Sequence, residues 1–487
     1  MDIRTYGRRA DKAPVLIAGY PRRRSPALVG LGWRDLFVQD QLVHSALIGT
    51  IVIGFFIAYI KDRYPIPLSY FLFDIGLGVT LLFWLTGTDR LSHLRLPRTP
   101  LTLPLLIFYM VCFVYIFFPD VPLLVSLSAF RGWCVSSLAF FIGYDLIKSE
   151  RHVEFYLRLV ILLGMIAGAY GIYQYAAGIE SVLSDDVIAS QRHQFATYVT
   201  EEGELEFRIF STFVSAGAFG TMMSYTSFIA LALAISDKVS TRQKVLLGLA
   251  ILPMLTSLVL TGTRAALLMM VIGVVILYWY KRHFRIYVTV MILILIGVQL
   301  GISLTEGRAA SRFASLTNLD VLLGRLSNPF ITGWESLMQA PLGHGLGVTG
   351  HGVPFYLLQQ YPTLQLIFSD GDYGRIMVEM GIVGLALLSL IMLTAIRGGV
   401  KSLRMLRTTP SQDAALAIFG SSVMVGITTL VGSPFLGIPH GLLWWFFMGA
   451  LFKLQIIWAD RRQGAAIEVA RRQVATAAAR RRANVAP

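Results

Sequence analysis

Long apolar runs without charge constrain this chain more than any other feature of its sequence. Residues Ile286–Leu304 carry no charged side chain, and about a dozen runs in the chain reach the roughly 18 residues that cross a bilayer as a helix. Within lipid every backbone amide must be hydrogen-bonded inside the protein, which leaves helices or closed barrels. The runs are continuous rather than alternating in polarity, so they predict an all-α polytopic integral membrane protein.

The runs divide the chain into about 12 predicted transmembrane helices, with boundaries that sequence patterns locate only to within a few residues. The predicted spans are residues 41–60, 68–86, 101–118, 128–147, 155–177, 211–235, 244–261, 265–280, 286–304, 374–396, 413–431 and 437–456. They form a transmembrane domain at residues 41–456, between a basic N-terminal segment (1–40) and a tail rich in alanine and arginine (457–487).

Charge is distributed unequally between the two sets of connections. Lysine and arginine dominate the two ends and alternate loops, namely 4–34, 90–98, 148–151, 238–244, 281–285, 397–407 and 461–482. The positive-inside rule places these segments, and therefore both termini, in the cytoplasm. The opposite set contains two long extracytoplasmic loops, 178–210 and 305–373. Topology and an anionic inner leaflet thus account for the net charge of +14, and no nucleic-acid partner is predicted.

The two ends and the cysteines add little chemistry. The first 30 residues are basic and have no apolar core, so the first span is expected to act as the targeting signal. The tail is interpreted as a solvated segment beside a negative membrane, although its composition also suits an amphipathic helix. Cys112 and Cys134 lie in or beside apolar segments and form no metal-binding spacing.

Two arginines at predicted extracytoplasmic helix ends are the first functional candidates, because charges near membrane depth are costly. Arg264 follows Thr261-Gly262-Thr263 between two apolar spans, and Arg208 opens the sixth span. An arginine can hold an anionic oxygen through two parallel hydrogen bonds. The alternatives are an exposed turn residue for Arg264 and a snorkelling arginine for Arg208. Gly217 and Gly220, near the start of the sixth span, would allow close backbone approach.

The loop 305–373 is too long for a simple connector and is the second candidate region. It contains three arginines, a Pro-x-Gly-x-Gly stretch from Pro341 to Gly345 and two histidines; the singled-out residues are Arg308, Arg312, Arg325, His344 and His351. The GxGxxG match at Gly345–Gly350 lacks a preceding strand and is not taken as a nucleotide site. The spacing of the histidines relative to Asp370 and Asp372 matches no zinc pattern, so no metal is predicted.

Three charged residues at the start of the tenth span share one helix face. Asp372, Arg375 and Glu379 are spaced by three and four residues. They are candidates for a site, and the alternative is a self-neutralising ladder that lets a charged helix end enter the membrane. Asp370 lies just before the helix, outside this ladder, and is the better candidate for an available carboxylate.

Three segments together resemble the superfamily of O-antigen ligases and Wzy-type polysaccharide polymerases. The segments are Arg208 with Ser211-Thr212-Phe213, then Thr263-Arg264-Ala265, and finally Pro341 to Gly345 followed by Asp370-x-x-Tyr373 and Glu379-x-Gly381-x-x-Gly384. Each motif is short. Their order and their shared placement on one side of the membrane carry the resemblance, which covers roughly residues 130 to 455.

The resemblance implies a bacterial inner-membrane glycosyltransferase with a GT-C-like fold. Its substrates would be oligosaccharides on undecaprenyl pyrophosphate in the outer leaflet, with no cofactor, and its implied partners are membrane lipids, chain-length regulator proteins and flippases. Arg208 and Arg264 would bind the pyrophosphate, and Arg264 and Asp370 would be catalytic, with Asp370 activating the acceptor hydroxyl. The remaining implied substrate-binding residues are Arg325, His344, Asp372, Tyr373 and Glu379.

Three functions remain open at this point. A polymerase would join lipid-linked repeat units, whereas a ligase would move a finished glycan to lipid A core or protein. Ligases typically have a histidine where Asp370 stands, so the carboxylate favours the polymerase, although His344 or His351 could substitute. A lipid-linked oligosaccharide flippase should show charges near mid-span. Asp74 is the one plainly intramembrane charge in the sequence, which favours an enzyme.

Overall fold

A computed structural model describes residues 40–64, 66–87, 96–178, 197–199, 205–281, 284–304 and 319–483. This part is almost wholly helical. Its two short strands, β1 (Thr197–Val199) and β2 (Leu205–Phe207), form an antiparallel hairpin. The predicted all-α membrane fold is confirmed. The N-terminal segment, most of the acidic loop, Arg308 and Arg312 lie outside the described residues.

The described helices follow one another along the chain. They are α1 (Gln41–Arg63), α2 (Pro67–Thr86), α3 (Thr102–Tyr115), α4 (Leu123–Leu146), α5 (Glu150–Ala177), α6 (Ala216–Ala234), α7 (Thr241–Leu260), α8 (Arg264–Lys281), α9 (Phe284–Leu304), α10 (Leu319–Gln339), α11 (Phe355–Gln359), α12 (Asp372–Leu406), α13 (Gln412–Thr428) and α14 (His440–Ala483). Within α4, a π-helical turn at Arg131–Val135 and a 3-10 turn at Ser136–Leu138 interrupt the regular helix.

Eight helices of the described part are long and apolar enough to cross a membrane, namely α1, α4, α5, α6, α7, α8, α12 and α14. Shorter apolar helices occupy the other four predicted spans, at Phe71–Thr86, Thr102–Tyr115, Ile294–Leu304 and Gln412–Thr428. Every predicted span therefore coincides with an apolar helix. The number of helices that cross the bilayer completely stays a prediction at twelve.

The core of the bundle is built around α6. Its residues are buried on every side, against α5, α7, α8 and α13. A second close contact joins α4 to α14, where glycines replace side chains. A Cβ added to Gly143 would lie 2.1 Å from the carbonyl oxygen of Phe446, and one added to Gly449 would lie equally close to that of Phe140. These contacts fix the helices that carry the site.

A long helix, α10, lies within the segment that the sequence suggested was a loop. Its apolar residues are interspersed with polar ones, so it lacks the continuous run that marks a membrane span. The helix packs on α12, because a Cβ on Gly333 would lie 2.5 Å from the Met377 side chain and 3.3 Å from the Gly374 Cα. This part of the predicted extracytoplasmic loop is therefore a packed helix, and its place outside the membrane stays a prediction.

The chain's C-terminal region is helical. Helix α14 continues without a break to Ala483, through the segment that the sequence predicts to be a solvated tail, and most side chains described there are exposed. The physical reason is its composition, since alanine and arginine are among the best helix formers. The alanine- and arginine-rich segment is thus a helical extension of the last apolar helix.

Helix directions alternate along the chain, so α4, α6, α8, α12 and α14 all begin at one end of the bundle. Contacts at the starts of α6, α8 and α14 show that these three starts are neighbours. The Thr263 hydroxyl donates to the Ala216 carbonyl, and the Phe213 ring lies 6.3 Å from that of His440. We call this the site end. The sequence predicts that it faces the extracytoplasmic side.

Candidate functional site

The turn between α7 and α8 places Arg264 at the first position of an apolar helix. This arginine turn consists of Thr261, Gly262, Thr263 and Arg264. Gly262 has a φ of +59°, a left-handed conformation that glycine adopts without steric cost. The Thr261 hydroxyl accepts a hydrogen bond from the Thr263 backbone amide at 3.1 Å. The turn is therefore fixed by its own sequence.

Arg208 is bound directly to the arginine turn. Its Nε donates to the carbonyl oxygen of Thr261 and its Nη2 donates to the Thr263 hydroxyl, each at 2.8 Å. These bonds fix the orientation of a guanidinium group that is half-buried. Two arginines that are 56 positions apart, by subtraction of 208 from 264, thus meet at one turn of the site end.

Helix α6 approaches the arginine turn through a glycine. A Cβ on Gly220 would lie 2.9 Å from the Thr261 hydroxyl oxygen and 3.1 Å from the Thr263 Cβ. The predicted close approach is confirmed at this position. Gly217 is different, because its added Cβ would meet only the Ser215 hydroxyl, at 3.9 Å. Of these two glycines, Gly220 is needed for helix packing and Gly217 is not.

The segment that follows Arg208 is irregular, buried and firmly anchored. The Gln174 side-chain oxygen accepts from the backbone amides of Phe210 at 3.1 Å and Ser211 at 2.7 Å. The Thr212 hydroxyl donates to the carbonyl of Phe55 at 2.6 Å. Ser211 has a φ of +51°, and such strained backbone in a non-glycine residue clusters at functional sites.

The glycine loop from Pro341 to Gly347 packs against a break in α12. At Gly381 the helix has a φ of 58° and a ψ of −145°, so the carbonyls before it lose their helical partners. The oxygens of Val378 and Glu379 instead accept from the backbone amides of His344 at 2.9 Å and Gly345 at 3.0 Å. The two glycine motifs are therefore one structural unit.

Several of the glycines in this unit are required by close contact. A Cβ on Gly381 would lie 2.1 Å from the Pro341 oxygen, and one on Gly343 would lie 2.5 Å from the Glu379 oxygen. Both residues also have positive φ. The hydroxyl of Tyr115, at the end of α3, donates to the Leu342 carbonyl at 2.7 Å and holds the loop from the other side.

Glu379 is enclosed between α12, α4 and the glycine loop. It is fully buried. One carboxylate oxygen accepts from the Trp133 indole at 2.9 Å and the other from the Thr349 hydroxyl at 2.5 Å. These contacts make Glu379 a residue that joins three elements. Its predicted role in binding substrate stays a prediction, and it would require these contacts to open.

Replacing Glu379 with alanine is expected to destabilise the protein. Each buried donor that loses its acceptor costs about 1–3 kcal/mol, and here the Trp133 indole and the Thr349 hydroxyl both lose theirs. Thermal unfolding of the purified protein in detergent measures the effect. Glu335→Ala, at an exposed position on α10, is the matched control and should leave the melting temperature unchanged. Equal melting temperatures for both variants would contradict this account of Glu379.

Asp372 and Tyr373 are both engaged in packing at the start of α12. Asp372 is fully buried, and its carboxylate accepts from the Phe435 backbone amide at 3.0 Å. Its own amide donates to the Gly432 carbonyl at 3.0 Å. The Tyr373 ring stacks on Phe330 of α10 with 6.3 Å between centroids. The structure thus assigns both predicted binding residues clear packing contacts.

The three-residue ladder on α12 does not form ion pairs. The Arg375 Nε donates to the Ser369 carbonyl at 2.9 Å. Among the described residues, Arg375 has no carboxylate oxygen within 4 Å, because Asp372 and Glu379 have other partners. The three charges still lie close enough to act on one another, so the self-neutralising alternative stays open. Asp370 directly follows Ser369, whose carbonyl accepts from Arg375. Its side chain is exposed, so Asp370 is the available carboxylate of this segment.

The two histidines of this region differ in exposure. The Nε2 of His344 is buried and has no hydrogen-bond partner within the described ranges, whereas the side chain of His351 is exposed. Over the same ranges, no group of three or more histidine, cysteine, aspartate or glutamate residues could hold a metal ion. The side chain of Arg325, on α10, lies outside the described parts of the chain.

Sequence reasoning missed an ion pair that supports the site. Arg131, in the π-helical turn of α4, donates to the Asp74 carboxylate of α2 at 2.9 Å and to the Gly352 carbonyl at 3.0 Å. It thereby holds the backbone next to His351. The sequence does contain an indication of this ion pair, because two opposite charges in apolar spans are expected to pair. Nothing local in the sequence indicates that they belong to each other.

A loop at residues 429–440 connects the two halves of the site. The Phe435 amide bonds to Asp372 on one side, and His440 lies against Phe213, in the segment that follows Arg208, on the other. The segment that follows Arg208 and the start of α12, two residues after Asp370, therefore contact the same loop.

Comparison with known protein families matches a part of this chain. Residues 249–389 match the family model described as O-Antigen ligase, Wzy_C. The matched segment contains the arginine turn, the glycine loop, Asp370 and the break at Gly381, but ends before the connecting loop and begins after Arg208. No curated protein matches the chain. The predicted resemblance is confirmed over this segment.

Proposed function

Residues 249–389 carry an O-antigen ligase domain, and from this premise we propose that the chain is a Wzy-type polysaccharide polymerase. Chains with this domain are ligase- or polymerase-type membrane enzymes that act on lipid-linked glycans. The proposed reaction transfers a glycan from undecaprenyl pyrophosphate to a sugar hydroxyl of another lipid-linked repeat unit. It takes place at the site end, on the extracytoplasmic side of the bacterial inner membrane.

The observation that carries the proposal is the junction of Arg208 with the arginine turn. A cation at the first residue of α8 opposes the helix dipole, which favours negative charge there. A second guanidinium is bonded to the same turn. An anion bound beside the first residue of α8 would offset both the unfavourable interaction of Arg264 with the helix dipole and the repulsion between the two guanidinium groups. Helix starts and arginines are the groups with which proteins commonly bind phosphate.

The chemistry needs no activated cofactor. Pyrophosphate is already a good leaving group, and Arg208 and Arg264 would stabilise the negative charge that develops on it. The exposed carboxylate of Asp370 would accept the proton of the attacking hydroxyl. The new glycosidic bond forms as the bond to the pyrophosphate oxygen breaks, so one displacement inverts the anomeric centre.

A ligase is the second candidate function. The matching family is described as O-Antigen ligase. Ligases typically have a histidine at the position of Asp370, and the exposed His351 would provide that imidazole here. The carboxylate of Asp370 favours the polymerase, because the family resemblance puts Asp370 at the position of the residue that activates the acceptor hydroxyl. The flippase alternative loses support, because the intramembrane charge of Asp74 is paired with Arg131 rather than open to a transport path.

A strain that lacks this protein distinguishes the three functions through its lipid-linked intermediates. We expect single repeat units to accumulate on the outer face of the inner membrane, since polymerisation is the missing step. Long lipid-linked chains would instead indicate a ligase, and units retained on the inner face would indicate a flippase. Either of these two results would contradict the polymerase assignment. Extraction and mass spectrometry of the lipid-linked pool provide the measurement.

A further inference from the structure

A cavity of about 410 Å³ lies at the end of the bundle opposite the arginine turn. Residues near the starts of α5, α7 and α13 and the end of α6 line it. It shares none of these residues with the arginine turn, the glycine loop or the Asp370 segment. Ligand pockets in proteins commonly measure roughly 300–1,000 Å³. The cavity is thus a separate site of ligand size.

One wall of the cavity is apolar and reaches the lipid-facing surface. Leu162 of α5 and Leu246 of α7 line it, and their side chains are 48% and 58% exposed. Ile161, Met165 and Leu247 continue the wall towards the interior. The mouth of the cavity therefore lies between α5 and α7, where acyl chains surround the protein in a membrane.

Two cations stand at the polar rim of the same cavity. The Arg158 side chain is 47% exposed and lies 3.5 Å from the Glu154 carboxylate, a long and exposed ion pair of the kind that contributes little. Lys238 donates to the Thr409 carbonyl at 3.2 Å, and an ammonium group has three donors in all. Both side chains can turn towards an anion between them.

Of the two acidic residues that line the cavity, the buried one, Asp413, is neutralised within the protein. The Asp413 carboxylate lies 2.5 Å from the Lys281 ammonium, and the two side chains are only 10% and 12% exposed. Its other oxygen accepts from the Ser236 hydroxyl. Asp413 therefore does not repel a bound anion. The remaining charges at the rim, those of Arg158, Lys238 and Glu154, leave an excess of positive charge.

We propose that this cavity binds an anionic diacyl phospholipid. The phosphate would lie between Arg158 and Lys238, and one acyl chain would follow Leu162 and Leu246 out to the bilayer. Basic pockets between helices on the cytoplasmic side are typical binding sites for such lipids, and the positive-inside rule predicts that this end lies there. A free phosphate ion would satisfy the two cations but leave the apolar wall uncovered.

Lipid titration of the purified full-length protein in detergent tests the proposal. A fluorescent phosphatidylglycerol is added to the wild type, to Arg158→Gln/Lys238→Gln and to the control Arg242→Gln/Lys244→Gln, which removes two nearby cations that do not line the cavity. We expect the first pair to weaken binding by about tenfold or more and the control pair to leave it unchanged. The charge-preserving Arg158→Lys/Lys238→Arg should retain binding and shows that the rim tolerates substitution.

Further arms of the titration identify the ligand. Phosphatidylethanolamine, which has no net charge, should bind wild type and Arg158→Gln/Lys238→Gln equally weakly, and excess inorganic phosphate should leave the bound phosphatidylglycerol in place. Displacement by phosphate would overturn the proposal in favour of a simple anion site. Equal losses in the two double variants would overturn it in favour of general surface charge, and so would loss of binding in the charge-preserving variant.

Discussion

Arg264→Ala is expected to lower the rate of glycan transfer by about 100- to 1,000-fold, the usual effect of removing a group that stabilises transition-state charge. The protein should still assemble in the membrane, because Gly262 and Thr261 fix the turn through its backbone conformation and a local hydrogen bond. Arg264→Lys should recover part of the rate, since an ammonium keeps the charge but not the two-pronged geometry. Product length and initial rate with purified lipid-linked repeat units provide the measurement.

The matched control for Arg264 is an arginine at the other end of the bundle. Arg397, on α12, is exposed and lies far along that helix from Asp372. Arg397→Ala should transfer glycan at the wild-type rate. If Arg264→Ala and Arg264→Lys both made product of normal length at normal rate, the arginine turn would have no part in the chemistry.

Asp370→Asn is expected to lower the transfer rate by about 100- to 10,000-fold, the range over which general bases contribute. Its melting temperature should not change, because the side chain is exposed. Asp370→His should keep partial activity that rises with pH. A histidine accepts a proton only when neutral, so activity should increase as the pH passes about 6.5.

Asp120 provides the control for Asp370. It is another exposed carboxylate, in the short connection between α3 and α4 at the same end of the bundle. Asp120→Asn should retain the wild-type rate at every pH. An equal loss in Asp120→Asn and Asp370→Asn would show that general negative charge at this surface, rather than a specific base, supports the reaction.

The helices and the two motif clusters could be predicted because their signals are local. An uncharged run such as Ile286–Leu304 has one stable form in lipid, and α9 ends at the same residue. Arg264, two residues after Gly262, could be singled out for a similar reason. A charge followed at once by an apolar helix is unusual within a short stretch of sequence, whatever the rest of the chain does.

The partners of buried charges could not be predicted in the same way. Glu379 looked like the neighbour of Arg375 on one helix face, yet it bonds to Trp133, which is 246 residues away in sequence. Asp74 similarly bonds to Arg131 on another helix. Helical spacing tells which side chains can meet on one helix, whereas burial selects partners from whichever helix packs alongside.

Helix α10 shows a second limit of sequence patterns. Polar residues are interspersed among its apolar residues over 319–339, and the segment contains a proline. Hydropathy therefore distinguishes this helix from a membrane span but not from a loop. What stabilises it is packing on α12 through Gly333. Tertiary contact of this kind supplies most of the stability of an amphipathic helix.

The central claim is that Arg208 and Arg264 together bind one lipid pyrophosphate. The affinity of the purified protein for the lipid pyrophosphate tests this claim most directly. Titration of wild type, Arg208→Ala, Arg264→Ala and the double variant should show weaker binding in each single variant. The two losses should not simply add in the double variant, since the arginines share a ligand and one turn. Unchanged affinity in all four proteins would contradict the claim.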